Sequence, residues 1–283
     1  MMLPSREKLR IIRVDSMRCF ALCFLLALSF VGIKLNAQGW KQQWTAQIQG
    51  DQVCIDNLGS AFIIKGDQLF KLKENGQAFR QYSNKSLGNI HSIDVKNPLK
   101  ILLFYKDFSR LVFLDNTITE NGSPIFLEDY NLEFSSIACS SYDNGFWIFD
   151  PVQYRLVRFN QNLQISSQVL NLNQILGKKI QPIFMLEQEN HLFLSDPAIG
   201  ILRFDIFGNY INSISIKGIQ KFQVNDHVLT YIANENEIIF YNLKTQKENK
   251  LRLPQQQIKD YCFQKNLLAI LIEGSLFMYK LSE

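Results

Sequence analysis

GFWIFDPVQYRLVRFNQN, residues 145–162, and HLFLSDPAIGILRFDIFGN, residues 191–209, share one pattern: an apolar run, a polar turn opened by Asp-Pro, a second apolar run and a second polar turn. Asp-Pro starts a turn through the aspartate side chain and the fixed proline φ. Short runs rich in Ile, Leu, Phe, Tyr and Val between such turns are strands, so each stretch reads as a β-hairpin. Four further copies line up outward from these two. The first strands are AFIIK at 61, ILLFYK at 101, VLTYIAN at 228 and LLAILIE at 267; their partners are QLFKLKENG at 68, RLVFLDNT at 110, EIIFYNLK at 237 and SLFMYKLS at 275. Measured from Leu69, Leu111, Leu156, Ile201, Ile238 and Leu276, successive spacings are 42, 45, 45, 37 and 38 residues. That is the length of one four-stranded propeller blade.

Each hairpin has an inner strand before it: VCID, HSIDV, SSIACSS, IFMLEQ, QKFQV and DYCFQ. Five have an outer strand after it: FRQYS, PIFLE, SSQVLNL, INSISIK and KENKLRL. The sixth copy lacks one, while WKQQWTAQIQ at 40–49 is a surplus strand before the first copy. The fold expected is all-β, a six-bladed β-propeller closed by an N-terminal strand that removes an otherwise open edge. Trp40 and Trp44, four residues apart on that strand, are expected to share a face. Residues 170–179 read as a loop or one short turn.

The hairpins at 145 and 191 resemble the blades of NHL-type and TolB-like six-bladed propellers, in which an acidic or small polar residue ends the second strand and an R-x-x-F-D-like tail follows. The resemblance spans residues 38–283 and is closest in the third and fourth copies. It implies a fold that carries many unrelated functions, and it transfers no functional residue to this chain.

Arg18 is followed by an apolar run, 19–33, and then by Leu35, Asn36, Ala37 and Gln38. A charged segment, a hydrophobic segment and a cleavage site make a secretory signal, and the run is shorter than the roughly 20 residues a membrane-crossing helix needs. The expected organisation is a signal peptide over 1–37, with Met17 as an alternative start, and one mature propeller domain over 38–283 with no transmembrane helix. Cys23 has no small residue directly before it, which argues against a lipid anchor. The expected location is the periplasm or outer-membrane surface of a Gram-negative bacterium, or the medium. Of the Lys and Arg residues, six fall in 1–37 against two acids, leaving 24 of each sign in the remainder. That neutrality removes the electrostatic basis for nucleic-acid binding.

No GxSxG, GxxxxGK[ST] or GxGxxG occurs, so nucleophile elbows and phosphate loops are absent. His91, His191 and His227 fall in different copies; His91 begins an inner strand and is expected near the channel, the other two on the face away from the ligand site. Cys54, Cys139 and Cys262 lack metal-ligand spacing and read as small buried apolar residues. The candidate ligand face is formed by the turns between second and third strands. They carry Lys65, Asp67, Lys106, Asp107, Asp150, Tyr154, Asp196, Glu235 and Glu273. Converging acids there would suit a divalent metal or a cationic ligand, although Asp150 and Asp196 are better explained as turn initiators. The function expected is a non-catalytic exported binding or scaffolding protein without a cofactor, holding a protein or an envelope polymer on one face. The alternative is a metal-dependent hydrolase or lyase with an axial acidic site.

Overall fold

The computed structural model describes residues 39–234 and 236–282. The expected signal peptide, its cleavage site, the Met17 start and Glu235 lie outside the described residues. Six four-stranded antiparallel sheets follow one another along the chain, forming a six-bladed propeller. The chain enters with β1 (Trp40–Gln47). Blade one is β2 (Gln52–Ile55), β3 (Ala61–Lys65), β4 (Gln68–Leu72) and β5 (Ala78–Ser83). Blade two is β6 (Ser92–Asp94), β7 (Ile101–Tyr105), β8 (Arg110–Leu114) and β9 (Ile125–Phe126); blade three is β10 (Ile137–Ser140), β11 (Phe146–Asp150), β12 (Arg155–Phe159) and β13 (Ile165–Val169). A short α-helix, α1 (Leu172–Ile175), leads into blade four, which is β14 (Phe184–Gln188), β15 (His191–Asp196), β16 (Gly200–Asp205) and β17 (Tyr210–Ile214). Blade five is β18 (Gln223–Asn225), β19 (Val228–Ala233), β20 (Glu237–Asn242) and β21 (Glu248–Arg252). Blade six is β22 (Asp260–Gln264), β23 (Leu267–Ile272) and β24 (Ser275–Leu281), with β1 as its outer strand.

The burial pattern explains the sequence pattern. The second strand of a blade is covered on both faces by neighbouring blades, so β7 and β11 are buried at every position and read as unbroken apolar runs. Outer strands such as β5 and β21 are mostly exposed and read as polar. Among the described residues the core is divided into six apolar clusters, one per seam between blades. Third strands end in a turn closed by a side-chain oxygen: Asp115, Asn160, Asp205 and Asn242 each accept backbone N–H groups from residues two and three or four further on. This is the local chemistry of Asx turns, and it is what the repeat of an acidic or small polar strand end encodes.

The predicted outer strand PIFLE is only two residues long, because Leu127–Tyr130 turns into a 3₁₀ helix that buries Leu127. The tryptophans of β1 depart from expectation more instructively. A register shift between Gln42 and Trp44 interrupts the alternation, as a β-bulge does, and sends the two rings to opposite sides. Trp40 packs edge-on against Phe263 and donates to the Arg252 carbonyl of blade five at 2.9 Å. Trp44 donates to the Glu74 carbonyl of blade one at 2.7 Å and joins the cluster between blades six and one.

Candidate functional site

Successive turns of a four-stranded meander alternate between its two ends. The turns between second and third strands therefore share one face, here the upper face, with the connections from blade to blade. Hydrogen bonds knit that face together around blades two and three. Ser109 Oγ donates to the Glu133 carbonyl, Arg155 Nη2 donates to the Asn131 carbonyl at 2.6 Å, and the Leu172 N–H donates to the Tyr154 carbonyl at 2.8 Å.

The candidate residues on this face do not form one constellation. Asp150 is buried and accepts from the Val152 and Gln153 N–H groups and from Arg155 Nε at 2.9 Å. Asp196 is buried too, accepting from Ala198 and Ile199 in its own turn and from the Gln181 N–H at 2.7 Å. Both carboxylates build turns, as their Asp-Pro context allows. Asp67 accepts from Ser83 Oγ at 2.5 Å, Asp107 is exposed, and Glu273 stands 4.0 Å from Lys259. Tyr154, with φ 48°, is half-buried against the cluster between blades three and four. None of these residues lines the axial cavity. Among the described residues no three His, Cys, Asp or Glu side chains converge closely enough to hold a metal ion.

The same face also exposes apolar side chains. Phe108, Phe134 and Val152, from the loops of blades two and three, are 53%, 64% and 62% exposed, and Asp107, Asp129 and Glu133 are exposed beside them. Of the aromatics on this face, the sequence marks only Tyr154. Phe108 and Phe134 go unmarked because an aromatic in a loop carries no periodicity to separate it from a core residue.

The six inner strands surround an axial cavity of about 740 Å³. Each inner strand has a free backbone edge, and buried donors there need partners. Side chains of the neighbouring blades supply them. Asp94 Oδ2 accepts from the Ser140 N–H at 2.8 Å, and Asp260 Oδ2 accepts from the Val53 N–H at 2.7 Å. Asp260 also pairs with Lys221 Nζ at 3.0 Å, and Lys221 donates to the Val53 carbonyl at 2.8 Å. Burial opposes the Lys221 charge, but the Asp260 carboxylate outweighs it and holds the ammonium well above the usual lysine range. At one mouth Lys259 pairs with Asp51 at 3.0 Å and holds that carboxyl below its ordinary value. His91 lines the cavity as expected; burial, then the Lys106 charge, lowers its pKa and favours the neutral ring. His191 and His227 are engaged outside it, by Glu189 and Arg203.

All three cysteines of the described residues line the cavity. Their placement on inner strands was available from VCID, SSIACSS and DYCFQ. That Cys54 and Cys262 meet was not, because strands 207 residues apart come together only when the ring closes: the Ile55 N–H donates to Cys262 Sγ at 3.2 Å.

No protein-family model and no curated protein matches the sequence. Solved structures match in fold. A streptogramin B lyase structure aligns with a TM-score of 0.61 at 11% identity, covering 87% of this chain and 98% of that one. The WD40 domain of Neurospora crassa Pan2 gives 0.57 at 8% identity over 86% and 96%. BBS1N in complex with ARL6DN gives 0.53 at 12% identity over 82% and 77%. At these identities the likeness is one of fold. No helix among the described residues is long and apolar enough to cross a membrane.

Proposed function

We propose that this chain is an exported, non-catalytic binding or scaffolding protein of the bacterial cell envelope, holding a protein partner on the upper face of its propeller. The observation that carries this reading is the exposure, on one face, of the apolar side chains Phe108, Phe134 and Val152, with exposed Asp107, Asp129 and Glu133 near them in the same loops. Contiguous exposed apolar surface with a polar rim marks interaction sites. Asp107, Asp129 and Glu133 outnumber the exposed Lys106 in these loops and favour a partner that brings Lys or Arg around an apolar centre, which is protein chemistry rather than that of an envelope polymer. In this reading residues 1–37 are removed on export to the periplasm or outer-membrane surface, residues 38–283 act as one domain akin to NHL-type and TolB-like propellers, and no cofactor takes part. BBS1N, a propeller held in complex with a protein, is a precedent for the mode of use.

A second reading, a metal-dependent hydrolase or lyase with an axial acidic site, draws on the roomy axial cavity and on the lyase neighbour. It is the weaker one, because Asp51 and Asp260 are each taken by a lysine. The test is purification of the protein from its native envelope after cross-linking in place and without chelator, beside a Phe108→Asp/Phe134→Asp variant and a Leu58→Asp control on another loop. A stoichiometric partner lost from the double variant and kept by the control is the expected result. A stoichiometric divalent metal, with co-purifying proteins indifferent to the double variant, overturns the reading in favour of the second.

A further inference from the structure

We propose that Cys54 and Cys262 form a disulfide across the seam between blades one and six, made by thiol exchange with a small-molecule disulfide that enters the axial cavity. The site is built by the register of the two inner strands. Val53 and Ile55 flank Cys54, and their N–H groups reach Asp260 Oδ2 and Cys262 Sγ at 2.7 and 3.2 Å. The two strands are thus fixed side by side on both sides of Cys54. Both residues line the cavity, whose volume of about 740 Å³ leaves room for a small-molecule disulfide. Cys139 lines the same cavity but belongs to blade three.

The polar surroundings also select which sulfur reacts first. The Cys54 S–H bond to Cys262, the Lys221 ammonium and the Ile55 N–H together hold the Cys262 thiol below its ordinary value against burial. Donating that hydrogen bond, and then burial, push Cys54 up. Burial first, with Asp94 and Glu187 adding to it, pushes Cys139 well up. Thiolate is the attacking species in exchange. The Cys262 thiolate attacks one sulfur of the external disulfide, forming a mixed disulfide and releasing one small thiolate. Cys54 then gives its proton to cavity water and attacks Cys262 Sγ, releasing the second. Two protein thiols are oxidised, one external disulfide is reduced to two thiols, and the electrons balance.

Such a bond ties the first blade to the last and closes a loop of nearly the whole propeller. The test is incubation of the purified full-length protein with oxidised glutathione, then denaturation in an alkylating reagent, digestion and peptide mapping by mass spectrometry. We expect Cys54 and Cys262 in one cross-linked peptide, Cys139 alkylated, and a melting midpoint raised by roughly 10 °C. Dithiothreitol reverses the rise, and Cys54→Ser or Cys262→Ser abolishes it. Recovery of Cys54 and Cys262 as separate alkylated or separately glutathionylated peptides overturns the proposal, as does a cross-link through Cys139. The site does not rest on export: a cross-link that forms in the tube but is missing from acid-quenched cells supports the site and counts against the exported reading alone.

Discussion

Two seams of the ring solve the same problem with different degrees of closure. Between blades three and four, Glu187 of β14 is 1% exposed and accepts from Trp147 Nε1 and the Tyr142 N–H at 2.7 Å and from Ser141 Oγ at 3.1 Å. Arg158 continues that network, donating to Ser141 Oγ, pairing with Asp143 at 2.7 Å and lying over the Tyr142 ring. Between blades six and one, Asp260 performs the matching task for the Val53 N–H, but its side chain is 16% exposed and that of Lys221 18%. Lys96, which lines the axial cavity, stands 3.6 Å from Glu187, but the Glu187 carboxylate itself is covered by an indole, whereas that of Asp260 faces the cavity. Burial multiplies the cost of losing a charge partner, so the seams should differ in how they fail.

The largest separation is expected from removing each acid. Glu187→Ala strands the buried Trp147 and Tyr142 donors and leaves Lys96 without its carboxylate partner, and should cost about 3–5 kcal/mol, read as the shift in a urea unfolding midpoint. Asp260→Ala should cost about 1–3 kcal/mol, since cavity water can take up the Val53 N–H and the Lys221 ammonium. Equal losses would end the distinction between a sealed and an open seam.

Asp143 and Asp51 sharpen it at smaller scale. Burial raises the Asp143 pKa but Arg158 more than offsets it, and the Lys259 hydrogen bond lowers that of Asp51. Carboxyls whose folded pKa is depressed stabilise the protein above the unfolded value near 3.8, and that stability is lost as pH falls through the folded value. Asp143→Asn and Asp51→Asn should each flatten the acid limb of the stability curve, Asp143→Asn by more. The smallest effect concerns salt. The Asp51–Lys259 pair is exposed and worth less than about 1 kcal/mol, so high salt should erase the cost of Asp51→Asn while leaving that of Asp143→Asn nearly unchanged in the same titration.

The hairpins were legible in the sequence almost to the residue: AFIIK, ILLFYK and GFWIFD are β3, β7 and β11 with at most their end residues trimmed. They were legible because a strand buried on both faces must be apolar throughout and the turns between use side chains as caps, both local facts. Elements decided by a distant partner were not. Ile125 and Phe126 extend only briefly because Leu127 is pulled into a buried turn, and Trp40 and Trp44 part because the register against β24 shifts. The upper-face acids were found in sequence as turn residues and as ligand candidates; their side-chain bonds favour the former at Asp150 and Asp196. The cavity pairs Lys221–Asp260 and Cys54–Cys262 join residues that only the completed ring brings together.

The bulge in β1 also gives the molecule an optical clock. Its three tryptophans sit in three different seams: Trp147 between blades three and four, Trp40 beside Phe263 and blade five, Trp44 against blade one. Pairings such as Trp40 with Leu281 join chain ends, and contacts so remote in sequence form slowly. In a Trp147→Phe protein the remaining indole emission therefore reports ring closure itself, and its refolding phase should lag the far-ultraviolet signal of the individual blades.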